Sequence, residues 1–210
     1  MKYFLIPGYG VGAQYVNFKQ PEGLNAGFGA FEELIKQNQA TVFRWDINRY
    51  FGWLEFINPL KHLELYKMEE SKSQSKNTHD QLQLELFTAM PRTIICHSMG
   101  SQLLISYLQS HKLPDSVIQI IFIQSNIPSK QKLPDYLQNL LRSKRITLIN
   151  LFCPWDQALI SLIFLRFFVP AGMVGLKNNP IINIFFPLYK TPNLHTSSIS
   201  DPKLIKLIET

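Results

Sequence analysis

Six short apolar runs divide the chain, and the segments between most of them repeat apolar residues with helical spacing. The runs are rich in Ile, Val and Phe and lack the polar–apolar alternation of a half-exposed strand, so they predict parallel strands buried on both faces. The predicted strands are residues 3–6, 41–45, 92–96, 117–123, 146–152 and 181–186. The predicted helices are residues 28–39, 79–90, 101–110, 135–143 and 201–209.

This βαβα rhythm predicts an α/β fold, a doubly wound, mostly parallel sheet of about six strands with helices on both faces. A strand order of 2-1-3-4-5-6 would make strands 1 and 3 neighbours at the switch point, where α/β sheets bind ligands. The length suits a single domain spanning residues 1–210. Residues 67–80 are polar and lack periodicity, which predicts an exposed loop.

The composition limits the classes of partner. The chain is 46% hydrophobic and 17% charged, too apolar for a disordered protein. Its net charge of +6 mildly favours anionic partners such as phospholipid surfaces or acidic substrates. No basic block is interleaved with aromatic residues, so nucleic acid is not an expected partner. No pair of Cys or His residues has the spacing of metal ligands, and we expect neither a metal nor a cofactor.

The two cysteines and the apolar segments bear on the cellular compartment. Cys96 and Cys153 end strands that a third strand separates, so we expect reduced, buried thiols rather than a disulfide. The apolar run after Lys2 is too short for a secretory signal, and residues 159–169 are too few to span a bilayer. These features predict a cytoplasmic protein that can make peripheral membrane contact.

The segment RTIICHSMGSQLLISYL, residues 92–108, joins a buried strand to a helix through a tight turn. A turn in this context holds a serine exposed above the sheet, with small residues two positions before and after it. Ser98 is therefore the candidate nucleophile, with Gly100 downstream and Cys96 upstream. The alternative is that Ser98 only caps the following helix. His97 points away from Ser98 on such a turn and is expected to be its structural neighbour.

The segment FLIPGYGVG, residues 4–12, follows the first strand and offers amide donors beside this turn. Acyl transfer needs fixed N–H groups for the oxyanion, one from the residue after the nucleophile and one from a nearby loop. Met99 N–H and Tyr9 N–H are the two candidates. A phosphate-binding loop is the alternative, but the segment lacks both the lysine and the glycine spacing of such loops.

A carboxylate and an imidazole follow later strands. Asp156 comes after the fifth strand and can accept the Nδ1–H of a histidine, although it can also cap the next helix. Asp201 is the next candidate for this carboxylate, with its own explanation as a cap. Among five histidines, His195 alone follows both Ser98 and Asp156 on a polar loop after a strand. A histidine on a surface loop is the alternative for His195.

These residues resemble the α/β-hydrolase superfamily over nearly the whole chain, and within it the small, capless esterases and lipases. The stretch LHTSSISDP is similar to the H-T-S…D-P stretch that carries the triad histidine in several such groups. The resemblance implies a serine hydrolase that forms an acyl-enzyme, with Ser98 attacking, His195 as base then acid, and Asp156 orienting His195. Cys96 departs from the usual Gly upstream of the nucleophile.

The substrate must be covered by residues 50–66 or 158–176, because the fourth and fifth strands are too close in sequence for an inserted cap. Both segments are rich in large apolar side chains, which predicts an acyl groove or a lipid-facing lip. Tyr9, Trp53 and Phe164 are the candidate substrate contacts. We therefore expect cleavage of carboxylic esters with moderate to long acyl chains. An acyl-thioesterase, a catalytically inactive binding protein of the same fold and a non-catalytic lipid-binding protein are the alternatives.

Overall fold

The computed structural model describes residues 1–8, 14–15, 28–45, 50–51, 59–177, 180–187, 195 and 198–209. Six strands form one sheet in which every neighbouring pair runs parallel. They are β1 (Tyr3–Ile6), β2 (Ala40–Val42), β3 (Thr93–His97), β4 (Gln119–Ile123), β5 (Thr147–Phe152) and β6 (Ile182–Phe185). The order across the sheet is β2-β1-β3-β4-β5-β6, and the predicted α/β class and strand order are confirmed. Residues 14–15 and 50–51 pair separately, also in parallel.

The carboxyl ends of the central strands meet at one edge of the sheet. Ile6 at the end of β1 pairs with Cys96, and Ile123 at the end of β4 pairs with both His97 and Leu151. The residues that follow these strands therefore emerge side by side. We call this rim the carboxyl edge, and it is where ligands bind in open α/β sheets.

Helices cover both faces of the sheet. They are α1 (Glu32–Lys36), α2 (Pro59–Ser73), α3 (Lys76–Ala89), α4 (Met99–Tyr107), α5 (Asp135–Arg142), α6 (Gln157–Arg166), α7 (Ala171–Val174) and α8 (Lys203–Glu209). Short 3-10 helices at Gly29–Phe31 and Ser198–Ser200 precede α1 and α8. Among the residues described, no helix is both long and apolar enough to cross a bilayer.

Alternate side chains of each strand enter two separate cores, as the pleat requires. On one face, Phe4 and Ile6 of β1 belong to the larger cluster, together with apolar residues of α3, α4, α5 and α6. On the other face, Tyr3 and Leu5 join a smaller cluster with Phe28, Phe31, Leu204 and Ile208. Burial on both faces explains why the strand sequences are continuously apolar.

The prediction of an exposed loop at residues 67–80 is wrong. Helix α2 continues to Ser73, and α3 begins at Lys76 after a turn of two residues. Ser75 caps α3 by accepting a hydrogen bond from Thr78 N–H, and His79 bonds Ser73 O across the turn. Several buried positions within residues 67–80 are polar, among them Glu69 and Ser73, so no hydrophobic period marks this stretch, whereas the rest of α3 agrees with the helix predicted over residues 79–90.

Smaller differences concern the ends of elements. Helix α4 begins at Met99, two residues before the predicted start, so it follows Ser98 directly. Residues 28–39 form a 3-10 turn and the short α1 rather than one continuous helix. Cys96 and Cys153 are both buried free thiols on either side of β4, as predicted from the strand order.

Candidate active site

Ser98 occupies a strained turn between β3 and α4. Its φ of 49° and ψ of −119° lie in a region that non-glycine residues rarely adopt, and such strain concentrates at functional sites. Its backbone is fixed on both sides, because Ser98 N–H donates to Ile123 O at 3.0 Å and Ser98 O accepts from Ser101 Oγ at 2.6 Å. The side chain makes no helix-capping hydrogen bond. Capping of α4 therefore does not account for the serine.

Close backbone packing explains the small residues around this turn. A Cβ on Gly100 would lie 2.3 Å from Ile6 O, so only glycine lets α4 start against the end of β1. A Cβ on Gly8 would lie 2.6 Å from Ser98 Cβ and 3.2 Å from His97 Nδ1. Gly8 thus brings the loop after β1 into direct contact with the serine turn, as the sequence predicts.

Of the two candidate oxyanion donors, Met99 lies in the part of the chain that the structure describes. Met99 is the first residue of α4, so its N–H has no partner within the helix. No other acceptor for this amide lies within the described part of the chain. It is therefore free to donate to a ligand beside Ser98. Tyr9, the second candidate donor, lies outside the described residues.

Asp156 and His195 are brought together at the carboxyl edge. The carboxylate of Asp156 is fully buried, and its Oδ2 lies 2.7 Å from His195 Nδ1. A carboxylate oxygen accepts hydrogen bonds, so Nδ1 is the donor in this contact and Nε2 is left for another partner. The Oδ1 atom accepts from Leu159 N–H at 3.1 Å and caps α6. Asp156 therefore fills both roles that its sequence position allowed.

Gln124 and Ser198 complete the surroundings of the carboxylate, and neither was identified from the sequence. Gln124 Nε2 donates to Asp156 Oδ2 at 2.5 Å, while Gln124 Oε1 accepts from Ser198 Oγ. Ser198 Oγ also lies 3.4 Å from His195 O. A chain of hydrogen bonds thus runs from the imidazole of His195 through Asp156 and Gln124 to Ser198, whose single hydroxyl proton goes to Gln124. The signal for Gln124 was the polar triplet Gln-Ser-Asn that follows the apolar β4.

His97 supports the histidine rather than the serine. His97 Nε2 bonds His195 O at 2.8 Å, and the two rings lie 4.7 Å apart between centroids. Burial, followed by the nearby His195, lowers the pKa of His97 to about 3. His97 therefore stays neutral at ordinary pH and adds no positive charge that would oppose protonation of His195. This agrees with its predicted role as a structural neighbour.

A second polar network anchors α2 and α6 beside the serine turn. Asn126 N–H lies 3.5 Å from Ser98 O, and Asn126 Nδ2 donates to Tyr66 Oη and to Gln102 Oε1. Gln102 Nε2 in turn donates to Glu70, whose carboxylate receives two bonds from Arg166. Bidentate Arg–carboxylate pairs fix orientation as well as charge. Burial raises the pKa of Tyr66, so its hydroxyl stays protonated.

The remaining predictions concern the contact between Ser98 and His195, the three candidate substrate contacts and Asp201. No hydrogen bond joins Ser98 Oγ to His195 in the described residues; the backbone oxygen of His195 instead accepts from His97 Nε2. Tyr9 and Trp53, two of the three candidate substrate contacts, lie outside the described residues. Phe164, the third, projects from α6 and is 75% exposed. Asp201 accepts from Lys203 N–H at 2.9 Å, near the start of α8.

The described ranges contain no group of three or more His, Cys, Asp or Glu residues that could hold a metal ion. The chain matches no protein-family model and no curated protein sequence. The proposal for its function therefore depends on the geometry of the carboxyl edge.

Proposed function

We propose that the chain is a serine hydrolase of the α/β-hydrolase superfamily that cleaves carboxylic acyl esters through an acyl-enzyme. One observation carries this proposal. The hydroxyl of Ser98 makes no helix-capping hydrogen bond and lies on a strained turn between a strand and a helix. This turn is at the same sheet edge where Asp156 binds Nδ1 of His195. A helix cap explains neither the strain at Ser98 nor the buried carboxylate–imidazole pair.

The roles of the side chains follow from their atoms. Ser98 Oγ attacks the ester carbonyl while His195 Nε2 accepts its proton, and Asp156 stabilises the imidazolium that forms. The negative charge on the carbonyl oxygen is met by Met99 N–H, a donor type that is worth roughly a hundredfold to a thousandfold in kcat. His195 then gives the proton to the departing alcohol. Water attacks the acyl-enzyme by the same route, which releases the acid and restores Ser98.

The supporting geometry fits an unliganded enzyme. Catalytic hydrogen bonds are often long or absent before substrate binds and tighten in the reacting complex. His97 Nε2 already holds the backbone oxygen of His195, and Gln124 holds the carboxylate. Proton transfer then requires the imidazole or the Ser98 side chain to move until Nε2 reaches Oγ.

Hydrolysis of p-nitrophenyl esters with acetyl, octanoyl and lauroyl chains tests the proposal. We expect the highest kcat/KM for octanoyl or lauroyl esters. Ser98→Ala should lower kcat by about a millionfold, the loss typical of a missing nucleophile. Ser106→Ala, a substitution on the same helix α4 away from the turn, should leave kcat unchanged.

Two results would replace the proposal by its alternatives. Faster turnover of octanoyl-CoA than of the matching oxygen ester would identify an acyl-thioesterase that uses the same side chains. Equal, background-level rates for the parent and for Ser98→Ala on every ester and thioester would indicate a binding protein of this fold.

A further inference from the structure

The chain between Asp156 and Gly172 leaves the carboxyl edge and returns to it. It begins at Asp156, beside the imidazole of His195, and continues through helix α6. It comes back where Ser129 N–H donates to Val169 O at 2.9 Å and Gly172 N–H donates to Ser125 O at 2.8 Å. Both ends of this excursion therefore lie at the edge that carries the candidate active site.

The outer side of this excursion is apolar and uncovered. Phe164 is 75% exposed, Phe167 is 92% exposed and Val169 is 41% exposed, whereas Leu159 and Leu162 of the same helix are buried in the core. We call Phe164, Phe167 and Val169 the aromatic lip. The described structure thus leaves two phenylalanine rings in water beside the carboxyl edge.

Phe167 also has an unfavourable backbone. It caps the carboxyl end of α6 with φ 55° and ψ 33°, a left-handed conformation that glycine or asparagine adopts at this position far more readily. Its ring gains almost no burial in return. Folding alone therefore gives no reason for a phenylalanine here, which suggests that the ring is buried by something outside the chain.

Unpaired positive charge lies beside the aromatic lip. Lys130 follows Ser129, whose backbone bonds Val169 O, and Lys177 N–H donates to Ser129 O at 2.8 Å. Both lysines are exposed, and neither has an acidic partner within the ranges that the structure describes. Arg166 is already engaged by Glu70. The two free ammonium groups match the overall charge of +6 and favour an anionic surface.

We propose that the aromatic lip docks the protein onto an anionic lipid surface, with Phe164 and Phe167 inserted at the acyl boundary and Lys130 and Lys177 at the headgroups. Aromatic and basic residues together are typical of helices that lie in a membrane interface. The lip offers on the order of 400 Å² of apolar surface, about half of what each partner contributes to a stable protein–protein interface. A projecting lip of this size suits a fluid surface better than a protein partner.

This inference deepens the proposed function, since docking would bring lipid acyl esters to Ser98, but binding can be measured without turnover. The test is flotation of the Ser98→Ala protein with vesicles of phosphatidylcholine alone or of equal parts phosphatidylcholine and phosphatidylglycerol. We expect flotation with the anionic vesicles and little with the neutral ones. Phe164→Ser/Phe167→Ser in this background should weaken vesicle binding by about tenfold or more.

Two further variants sharpen the test. Lys130→Gln and Lys177→Gln should each weaken binding to anionic vesicles by about fivefold and reduce its sensitivity to salt. Leu84→Ser/Phe87→Ser is the matched control, because these side chains of α3 are also 69% and 46% exposed but lie elsewhere. It should float like the parent.

Three results would overturn the inference. The parent could stay unbound with every vesicle, or the lip and control variants could float equally well. A concentration-dependent dimer that Phe164→Ser/Phe167→Ser abolishes would instead make a second copy the occupant of the lip. None of these results bears on ester hydrolysis, which is measured separately with soluble esters.

Discussion

The two ends of helix α6 are built in opposite ways. At its amino end, Asp156 is fully buried, and its carboxylate meets Gln124, His195 and the Leu159 amide. At its carboxyl end, Phe167 is 92% exposed in a left-handed backbone conformation. At the amino end, both carboxylate oxygens have hydrogen-bond partners, whereas at the carboxyl end a large apolar ring is exposed.

In the proposed function, this contrast assigns a different task to each end of one helix. A buried carboxylate that is held by several donors keeps its geometry during a reaction, which acid–base chemistry at His195 needs. An exposed apolar side chain contributes little to folding and is available for contact with another phase. Substitutions at the amino end should therefore change catalysis, and substitutions at the carboxyl end should change association.

The largest expected effect is at Asp156. Asp156→Asn should lower kcat by about ten-thousandfold, because an amide cannot stabilise the imidazolium and favours the wrong tautomer of His195. Asparagine still caps helices well, so helix α6 should remain formed by circular dichroism. Steady-state ester hydrolysis measures the loss. Asp201→Asn is the control and should retain activity within about twofold, while retention of a tenth or more by Asp156→Asn would contradict the contrast.

A smaller loss is expected at Gln124, whose amide connects Asp156 to Ser198. Gln124→Leu should lower kcat by roughly tenfold to a hundredfold while KM for a short soluble ester changes little, because misplacing the carboxylate affects the reaction rather than binding. Gln81→Leu on the exposed side of α3 provides the comparison. A rise in KM at unchanged kcat would show that Gln124 contacts substrate instead of positioning Asp156.

The acid stability of the fold should reflect His97. The unfolded chain binds a proton at His97 below about pH 6.5, whereas the depressed pKa delays this to about 3 in the folded chain. The unfolded state thus holds more protons between these values, and the free energy of unfolding should fall on acidification by at most about 1.4 kcal/mol per pH unit. Urea titrations across this range measure the slope. His97→Gln should flatten it, and an unchanged slope would show that His97 does not contribute.

The smallest effect is expected at the exposed end of α6. Phe167→Asn should raise the free energy of unfolding by about 0.5 kcal/mol, because asparagine tolerates the left-handed conformation and little burial is lost. Urea denaturation at neutral pH measures the change. A loss of more than about 1 kcal/mol would mean that the Phe167 ring packs against the fold, and it would remove the contrast between the two ends.

The sequence predicted the central sheet because its inner strands β1, β3 and β4 are buried on both faces and so carry continuous apolar runs, whereas the edge strand β6 is largely exposed. Ser98, Asp156 and His195 were predicted as candidate site residues for a related reason, since each comes after a predicted strand and open sheets bind ligands at their carboxyl edge. The positions of these side chains relative to one another were harder to predict from the sequence. That Asp156 both caps α6 and binds His195 depends on the path of the chain between residues far apart in sequence.

The features that were not predicted from the sequence depend on buried polar residues. The end of α2 and the start of α3 bury Glu69, Ser73, Thr78 and His79, so the hydrophobic pattern there is weak, whereas the rest of α3 agrees with the helix predicted over residues 79–90. Gln124 has the same character, since a glutamine after a strand has no meaning until Asp156 and Ser198 are placed around it. Buried polar groups are specified by partners that are distant in sequence, which periodicity cannot detect.

Intact-mass spectrometry after treatment of the folded protein with a fluorophosphonate tests the central claim most directly, because this reagent needs an activated serine. We expect one adduct per chain, mapped by peptide sequencing to Ser98, absent from urea-unfolded protein and strongly slowed in Asp156→Asn. A folded protein without an adduct, or with an adduct on another serine, would contradict the assignment of Ser98 as the nucleophile.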